Sequence, residues 1–320
     1  MKYFGLQSQI WRNSTNSVLI LLMFPVVFYG LTWLFFFFLA LNQQGSSYSE
    51  GLPLISSVNH AFIRTLPWIT LAVIVWFTIA WFSHSAIINA ATDSRPLQRT
   101  ENKRVYNIVE NLCISRGLTM PKINIIEDDS LNAFASGINQ KSYTISLSRG
   151  IIDKLNDQEL EAVVAHELTH IRNGDVRLLI ISIIFVGIFA FLSETLFRSL
   201  RFGSLGRGKK GSGGAAILIA LVLAAIGYLV ASLFRFALSR KREFLADSGS
   251  AELTRNPLAL ASALRKIKND PTIEAVKRRD VAQLFIENPQ IGNKKLKISF
   301  TSLFATHPPI DKRIEILEQF

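Results

Sequence analysis

The residues best suited to chemistry stand in one short run, His166-Glu167-Leu168-Thr169-His170. On a helix, positions four apart share a face at a spacing of about 6 Å. Two imidazoles so placed can hold one metal ion, and zinc binds histidine nitrogen at about 2.1 Å. Glu167 is rotated about 100° from His166, so it does not ligate but can reach a water beside the ion. Zinc lowers the pKa of such a water toward about 7. A carboxylate base can then take its proton as it attacks a peptide carbonyl. The competing explanation is a helix that carries two histidines and an acid by chance. Histidine is scarce, however, with five in the whole chain, so their concentration here favours metal binding.

A catalytic zinc needs a third protein ligand and an open fourth position. One known extension of the pattern, HExxHxxGxxH, would use positions occupied here by Asn173 and Val176, so the third ligand lies elsewhere. Glu243 is the candidate. It follows an apolar run directly, as His170 directly precedes one. Asp247, one turn further on, is placed to accept a hydrogen bond from a ligand histidine. Spacing alone leaves open that Glu243 is a solvated partner of Arg240 or Arg242. Taken by itself, His307 beside Pro308-Pro309 reads as a loop histidine, and His60 and His84 belong to no pattern. The single cysteine, Cys113, rules out an internal disulfide and supplies no fourth ligand at metal spacing.

Several elements are predicted to position these groups. Asn156 and Glu159 form a capping-box start for a helix that carries LEAVVAHELTHI and ends near Asn173-Gly174. Ser239–Leu253 and Asn256–Ile267 read as two further helices. Apolar residues at helical spacing mark another over 98–117, closed by Gly117. Residues 122–127 and 143–148 alternate as strands do, and Leu131–Gly137 reads as a short strand or strand edge. An exposed strand edge beside a metal site can pair with an extended substrate main chain.

The chain has 320 residues, of which 49% are hydrophobic and only 18% charged. That charge deficit, against about 25% in soluble domains, points to membrane segments. Apolar runs cover Val18–Leu41, Leu66–Ala91, Leu178–Ser193 and Ala215–Phe234. A spanning helix needs about 20 apolar residues. The third run reaches that only if it extends past Glu194 toward Arg198. The first is too long for a signal-peptide core and reads as a retained anchor. All five tryptophans lie in or near the first two runs, where an aromatic belt would sit. The net charge of +11 lies largely beside apolar segments, which favours lipid headgroups over nucleic acid. Lys2 and Arg12 place the N-terminus, and with it residues 92–177, in the cytoplasm by the positive-inside rule. The loop after the third run, with Arg198, Arg201, Arg207, Lys209 and Lys210, opposes that rule if both flanking runs cross fully. Residues 203–214 are Gly-rich and read as a linker.

NAFASG (Asn132–Gly137), AVVAHELTHIRNGD (Ala162–Asp175), REFLADSGSA (Arg242–Ala251), NPLALASALRKI and ATHPPIDKRI (Ala305–Ile314) together resemble the HtpX-like membrane metalloproteases, relatives of the CAAX prenyl endopeptidases. The resemblance covers nearly the whole chain. It implies a mainly α-helical membrane protein with about four transmembrane helices and a gluzincin-type α+β protease domain with a small β-sheet. It implies one Zn2+ per chain, with Glu243 as third ligand beside His166 and His170. Asn132, Ala133, Phe134 and Ala135 would bind substrate, and His307 would act near the reacting carbonyl. Membrane or misfolded proteins are the implied substrates, in quality control and stress response at a bacterial inner membrane; nothing fixes the oligomeric state. Ser136 stands where the family often has threonine. The expected organisation is 1–92 for two helices and an external loop, 93–177 for the first protease segment, 178–234 for a transmembrane pair and 235–320 for the second protease segment. Two other classes compete: a membrane chaperone or scaffold with a structural zinc, and a transporter. The first would need a closed four-ligand site, and the second lacks inverted repeats and midplane acids.

Overall fold

A computed structural model describes residues 6–43, 53–202, 212–236, 240–270, 284–286 and 308–320. The chain divides into two compact units. One comprises residues 1–17, 83–181 and 235–320, and the other comprises 18–82 and 182–234. All four points at which the chain passes from one unit to the other lie inside continuous helices, not in linkers.

The first unit holds a four-stranded sheet and a set of helices. Strands β1 (Ser94–Pro96), β2 (Lys122–Ile126), β3 (Ala133–Ser136) and β4 (Thr144–Ser148) lie in the order β1-β2-β4-β3. The central pair, β2 and β4, is parallel with Ile123 opposite Ile145, while β1 and β3 run antiparallel at the two edges. Parallel strands need both faces covered, and β4 is buried at every position. Helix α3 (Lys103–Arg116) is opened by Asn102, whose side chain accepts from the Val105 amide at 3.0 Å, and closed by Gly117 at a φ of 63°. The positive φ suits glycine, as the sequence suggested. Helix α4 (Arg149–Lys154) follows β4 directly. Helix α5 (Asp157–Asn173) has the expected capping box: Asn156 and Glu159 each accept from the other's amide at 2.9 Å. Helices α8 (Arg240–Thr254), α9 (Pro257–Ile267) and α10 (Ile310–Leu317) complete the described helices wholly within this unit. Leu160, Val163, Val164 and Leu168 of α5 join Val105, Ile145, Leu260 and Leu264 in one core. Burying each such side chain is worth about 1.5–3 kcal/mol.

The second unit is built from apolar helices: most of α1 (Leu6–Gln43) and α2 (Leu54–Thr92), the later part of α6 (Asp175–Phe202) and nearly all of α7 (Ser212–Phe236). Three segments are long and apolar enough to cross a membrane: Leu22–Asn42, Leu54–Thr92 and Asp175–Arg198. The third apolar run therefore does extend to Arg198. The apolar stretch of α7, Ala215–Val230, is shorter, although the helix has 25 residues. Inside the unit, Phe24 stacks on Phe185 with centroids 4.2 Å apart, and Tyr29 hydrogen-bonds Thr70 at 2.9 Å. A Cβ on Gly227 would stand 2.4 Å from the Phe189 ring, so only glycine lets α7 approach there. Outward positions are large and apolar, with Trp68 at 72% and Phe82 at 80% exposure. Such a surface belongs in lipid, not water. The chain is a multi-pass integral membrane protein.

Candidate metal centre

Helix α5 carries His166, Glu167 and His170; α8 carries Glu243 and Asp247. The two helices pack closely because Gly249 of α8 lies against Thr169, where a Cβ would meet Thr169 Cγ2 at 2.4 Å. Ser250 Oγ donates to the Ala162 carbonyl at 2.7 Å and ties the same interface. This contact turns Glu243 toward the histidine pair. The Nε2 atoms of His166 and His170 stand 3.2 Å apart. Glu243 Oε2 lies 3.7 Å from the first and Oε1 lies 3.6 Å from the second. Ligands of one tetrahedral ion at about 2.1 Å stand about 3.4 Å from one another. The observed spacings suit a single small cation.

The ring protons support the same conclusion. His170 Nδ1 is 3.0 Å from Asp175 Oδ2, and a carboxylate can only accept, so Nδ1 is assigned the proton. His166 Nδ1 is 3.1 Å from Asp247 Oδ1, close although bent from an ideal hydrogen bond. Both carboxylates therefore favour the proton on Nδ1 and leave the facing Nε2 atoms as lone pairs. Two Nε2 atoms 3.2 Å apart, with a carboxylate beside them, need a shared proton or a metal ion between them. In the metal-free protein, burial opposes a charge on His166, but Asp247 and Glu243 outweigh it and lift its pKa to about 9. Such a site draws positive charge. Burial pushes the Glu167 carboxyl upward, partly offset by His166 and His170. Burial would also raise Asp247, yet Arg313 and His166 hold it below the usual carboxylate range.

Arg313 and Asp175 are functional neighbours that the sequence reading did not assign. Arg313 of α10 is fully buried and grips Asp247 with Nε at 2.9 Å and Nη2 at 2.7 Å. Its Nη1 is 3.6 Å from Glu243 Oε2 and its Nη2 is 3.5 Å from His166 Nε2. Both residues lie in stretches already singled out, Asp175 in AVVAHELTHIRNGD and Arg313 in ATHPPIDKRI. An arginine in a run with acids at Asp311 and Glu315 reads as solvated, so its burial is visible only in three dimensions.

The segment Asn132–Ala135 is placed at the edge of the sheet, with β3 packed against α5. One expectation needs correction: this edge is not exposed. Asn132, Ala133 and Phe134 are at 0% exposure. The outer edge of β3 is bridged by Phe285, antiparallel to Phe134, and Ile286 N donates to Ala133 O at 2.8 Å. A buried edge satisfies its amides with other parts of the chain. His307 lies outside the described residues. Among those described, the one group of three or more candidate ligands is His166, His170 and Glu243.

Two imidazoles and a carboxylate, with a second buried acid next to one imidazole, make the kind of centre that metallopeptidases use. A family model described as "Peptidase family M48" matches residues 99–320. A "Protease HtpX homolog" of Bacteroides fragilis (strain YCH46) is 57% identical over 100% of both chains. One of Lactobacillus helveticus (strain DPC 4571) is 33% identical over 98% of this chain and 99% of its own. A crystal structure of S. mikatae Ste24p superposes with a TM-score of 0.48 at 19% identity, covering 97% of this chain and 66% of that one. The chain belongs to peptidase family M48, and it is a membrane metalloprotease.

Proposed function

We propose that the centre binds one zinc ion through His166, His170 and Glu243, and that the enzyme hydrolyses peptide bonds of membrane or membrane-near proteins. The carrying observation is the convergence of the ligand atoms, with the two Nε2 atoms 3.2 Å apart, Glu243 Oε2 3.7 Å from the first and Oε1 3.6 Å from the second. The bound metal supplies a Lewis acid that polarises the scissile carbonyl and acidifies water. Glu167 takes the proton from the attacking water and returns it to the leaving nitrogen. Its buried position suits this work, because burial raises the carboxyl and moves it toward the range of an effective base. Asp175 and Asp247 hold the two rings with Nε2 facing the ion. The outer edge of Asn132–Ala135, held here by Phe285 and Ile286, is the main-chain edge that an extended substrate would pair with, and the family resemblance assigns His307 a donor role at the developing oxyanion.

The ring of His170 is held by Asp175, the first residue of the membrane-spanning segment Asp175–Arg198. Along the chain, the ligand helix therefore ends within a few residues of an apolar segment long enough to span a membrane. That supports substrates drawn from the membrane surface, on the cytoplasmic side of a bacterial inner membrane and in the service of protein quality control. A scaffold with structural zinc would need a closed site, and no fourth ligand joins the three among the described residues.

Glu167→Gln should abolish cleavage of a model membrane protein and leave metal bound. Glu243→Ala should lose the metal and activity together. Zinc content by atomic spectroscopy, measured beside a cleavage assay with and without chelator, separates the two roles. Metal lost in the first variant and kept in the second would reverse the assignment.

A further inference from the structure

The segment Leu284–Ile286 lies where a substrate strand would lie. The Asn132 carbonyl accepts from Ser148 N at 3.0 Å on the β4 side. Carbonyls alternate along a strand, so Ala133 O points to the opposite, outer edge. There it accepts from Ile286 N at 2.8 Å. Phe285 sits opposite Phe134 in antiparallel register, and the two rings meet edge to face with centroids 4.7 Å apart. All three residues of the segment are buried. The Ile286 carbonyl accepts from Arg313 Nη1 at 3.0 Å, while Nη2 of the same guanidinium lies 3.5 Å from His166 Nε2. The segment thus ends one side chain away from a metal ligand.

We propose that Leu284–Ile286 is an internal competitor that holds the outer edge of β3 and must leave before a substrate strand can pair there. The proposal rests on the reading of β3 as the substrate edge. A strand edge accepts one partner at a time, because the Ala133 carbonyl has one outward direction and Phe134 has one face toward it. Among the described residues, the occupant is attached by a single antiparallel bridge, Phe285 to Phe134. An incoming strand can replace its main-chain bond to Ala133 and its carbonyl contact with Arg313, so the exchange conserves hydrogen bonds. The occupant also indicates what displaces it: an extended stretch with large apolar side chains, of the Leu-Phe-Ile kind, such as a membrane protein exposes when unfolded. The competition acts on binding and not on the chemical step, so it appears in KM and leaves kcat unchanged.

The test uses the full-length protein in detergent micelles. The probe is a fluorescein-labelled peptide with Leu-Phe-Ile flanked by glycines. Ile286→Pro removes the amide that bonds Ala133 O, and Phe285→Ala removes the ring on Phe134. Each is combined with Glu167→Gln to prevent cleavage, and binding is read by fluorescence anisotropy. Either variant should bind the peptide about tenfold tighter, the gain expected when a competent fraction of about one tenth becomes the whole population. In the background with Glu167 intact, the same variants should lower KM. Unchanged or weaker binding in a variant with an unaltered melting profile would overturn the proposal and make the segment a fixed wall of the site. If Ile286→Pro does not fold, Phe285→Ala decides the question. Wild-type cleavage with no gain in either variant sinks the competitor alone. No binding and no cleavage by any form sinks the substrate-edge reading with it.

Discussion

At the scale of single residues, the candidate metal-ligating pair was legible because its geometry depends on a local period. His166 and His170 need only a helix to meet, and the Asn156–Glu159 box announced that helix. Glu243 was less legible, since spacing allowed a solvated ion pair and only the family resemblance selected the ligand role. Arg313 was not legible at all. Its importance comes from burial, with Asp247, Glu243 and His166 around it. Removing one partner of a buried, hydrogen-bonded ion pair costs about 3–5 kcal/mol, because the other charge is left without compensation. Arg313→Met should therefore lower the melting temperature strongly and reduce zinc content, since Asp247 then lacks the group that orients it toward His166. Adding Asp247→Asn should recover part of the stability, because an amide does not require the cation. A single variant as stable as wild type in a thermal scan would show that Arg313 is a bystander.

At the scale of elements, most helices and strands follow from their own sequence, and their contacts do not. The short β1 has only three residues and exists through its pairing with β2, which no local pattern signals. The α5–α8 contact is likewise invisible in sequence, yet it brings Glu243 to the histidines. Gly249→Ala tests it: a new methyl would fall 2.4 Å from Thr169 Cγ2 and 2.7 Å from Oγ1, pushing α8 outward. Metal affinity should drop, and Thr169→Ala should restore it by making room; isothermal titration of both variants with zinc gives the comparison, and equal affinities would refute the coupling. The start of α5 makes a pH-dependent contribution. Burial raises the Glu159 carboxyl, but Lys266, Ser262 and the Asn156 amide together hold it below the usual range. A depressed folded pKa means stabilisation that is complete above the unfolded value near 4.3 and lost as pH falls through the folded one. Glu159→Gln should cost about 1–2 kcal/mol at pH 7, the low end because Lys266 is partly exposed. Chemical denaturation at a series of pH values should show wild type and variant converging in acid. A constant gap would mean that the charge is irrelevant.

At the scale of the whole molecule, hydropathy made the membrane helices plain, while charge left their crossing unsettled. His170 and Glu243 belong to one candidate metal centre, so their helices share one side of the membrane. The chain between them, through α6 and α7, must then cross an even number of times: twice or not at all. The basic residues Arg198, Arg201, Arg207, Lys209 and Lys210 oppose moving the intervening loop across the membrane. The helices favour it. The segment Asp175–Arg198 is apolar enough to span, and α7 has 25 residues, about 37 Å at 1.5 Å per residue. Keeping α7 out of lipid would leave Leu218, Val222, Ile226 and Leu229, all exposed within the protein, facing water. That apolar loss outweighs about 1 kcal/mol per basic residue held at an anionic surface. We expect two crossings, with the loop outside. Cysteine labelling distinguishes the outcomes. Burial pushes the native Cys113 thiol up to about 11, which keeps it unreactive, and Cys113→Ala removes it altogether. In that background, Ser212→Cys should react with a membrane-impermeant maleimide on intact cells, as should a control at Ser47→Cys in the first loop. Reaction of the control alone, with Ser212→Cys labelled only after lysis, would replace the spanning pair by a hairpin held on the cytoplasmic face.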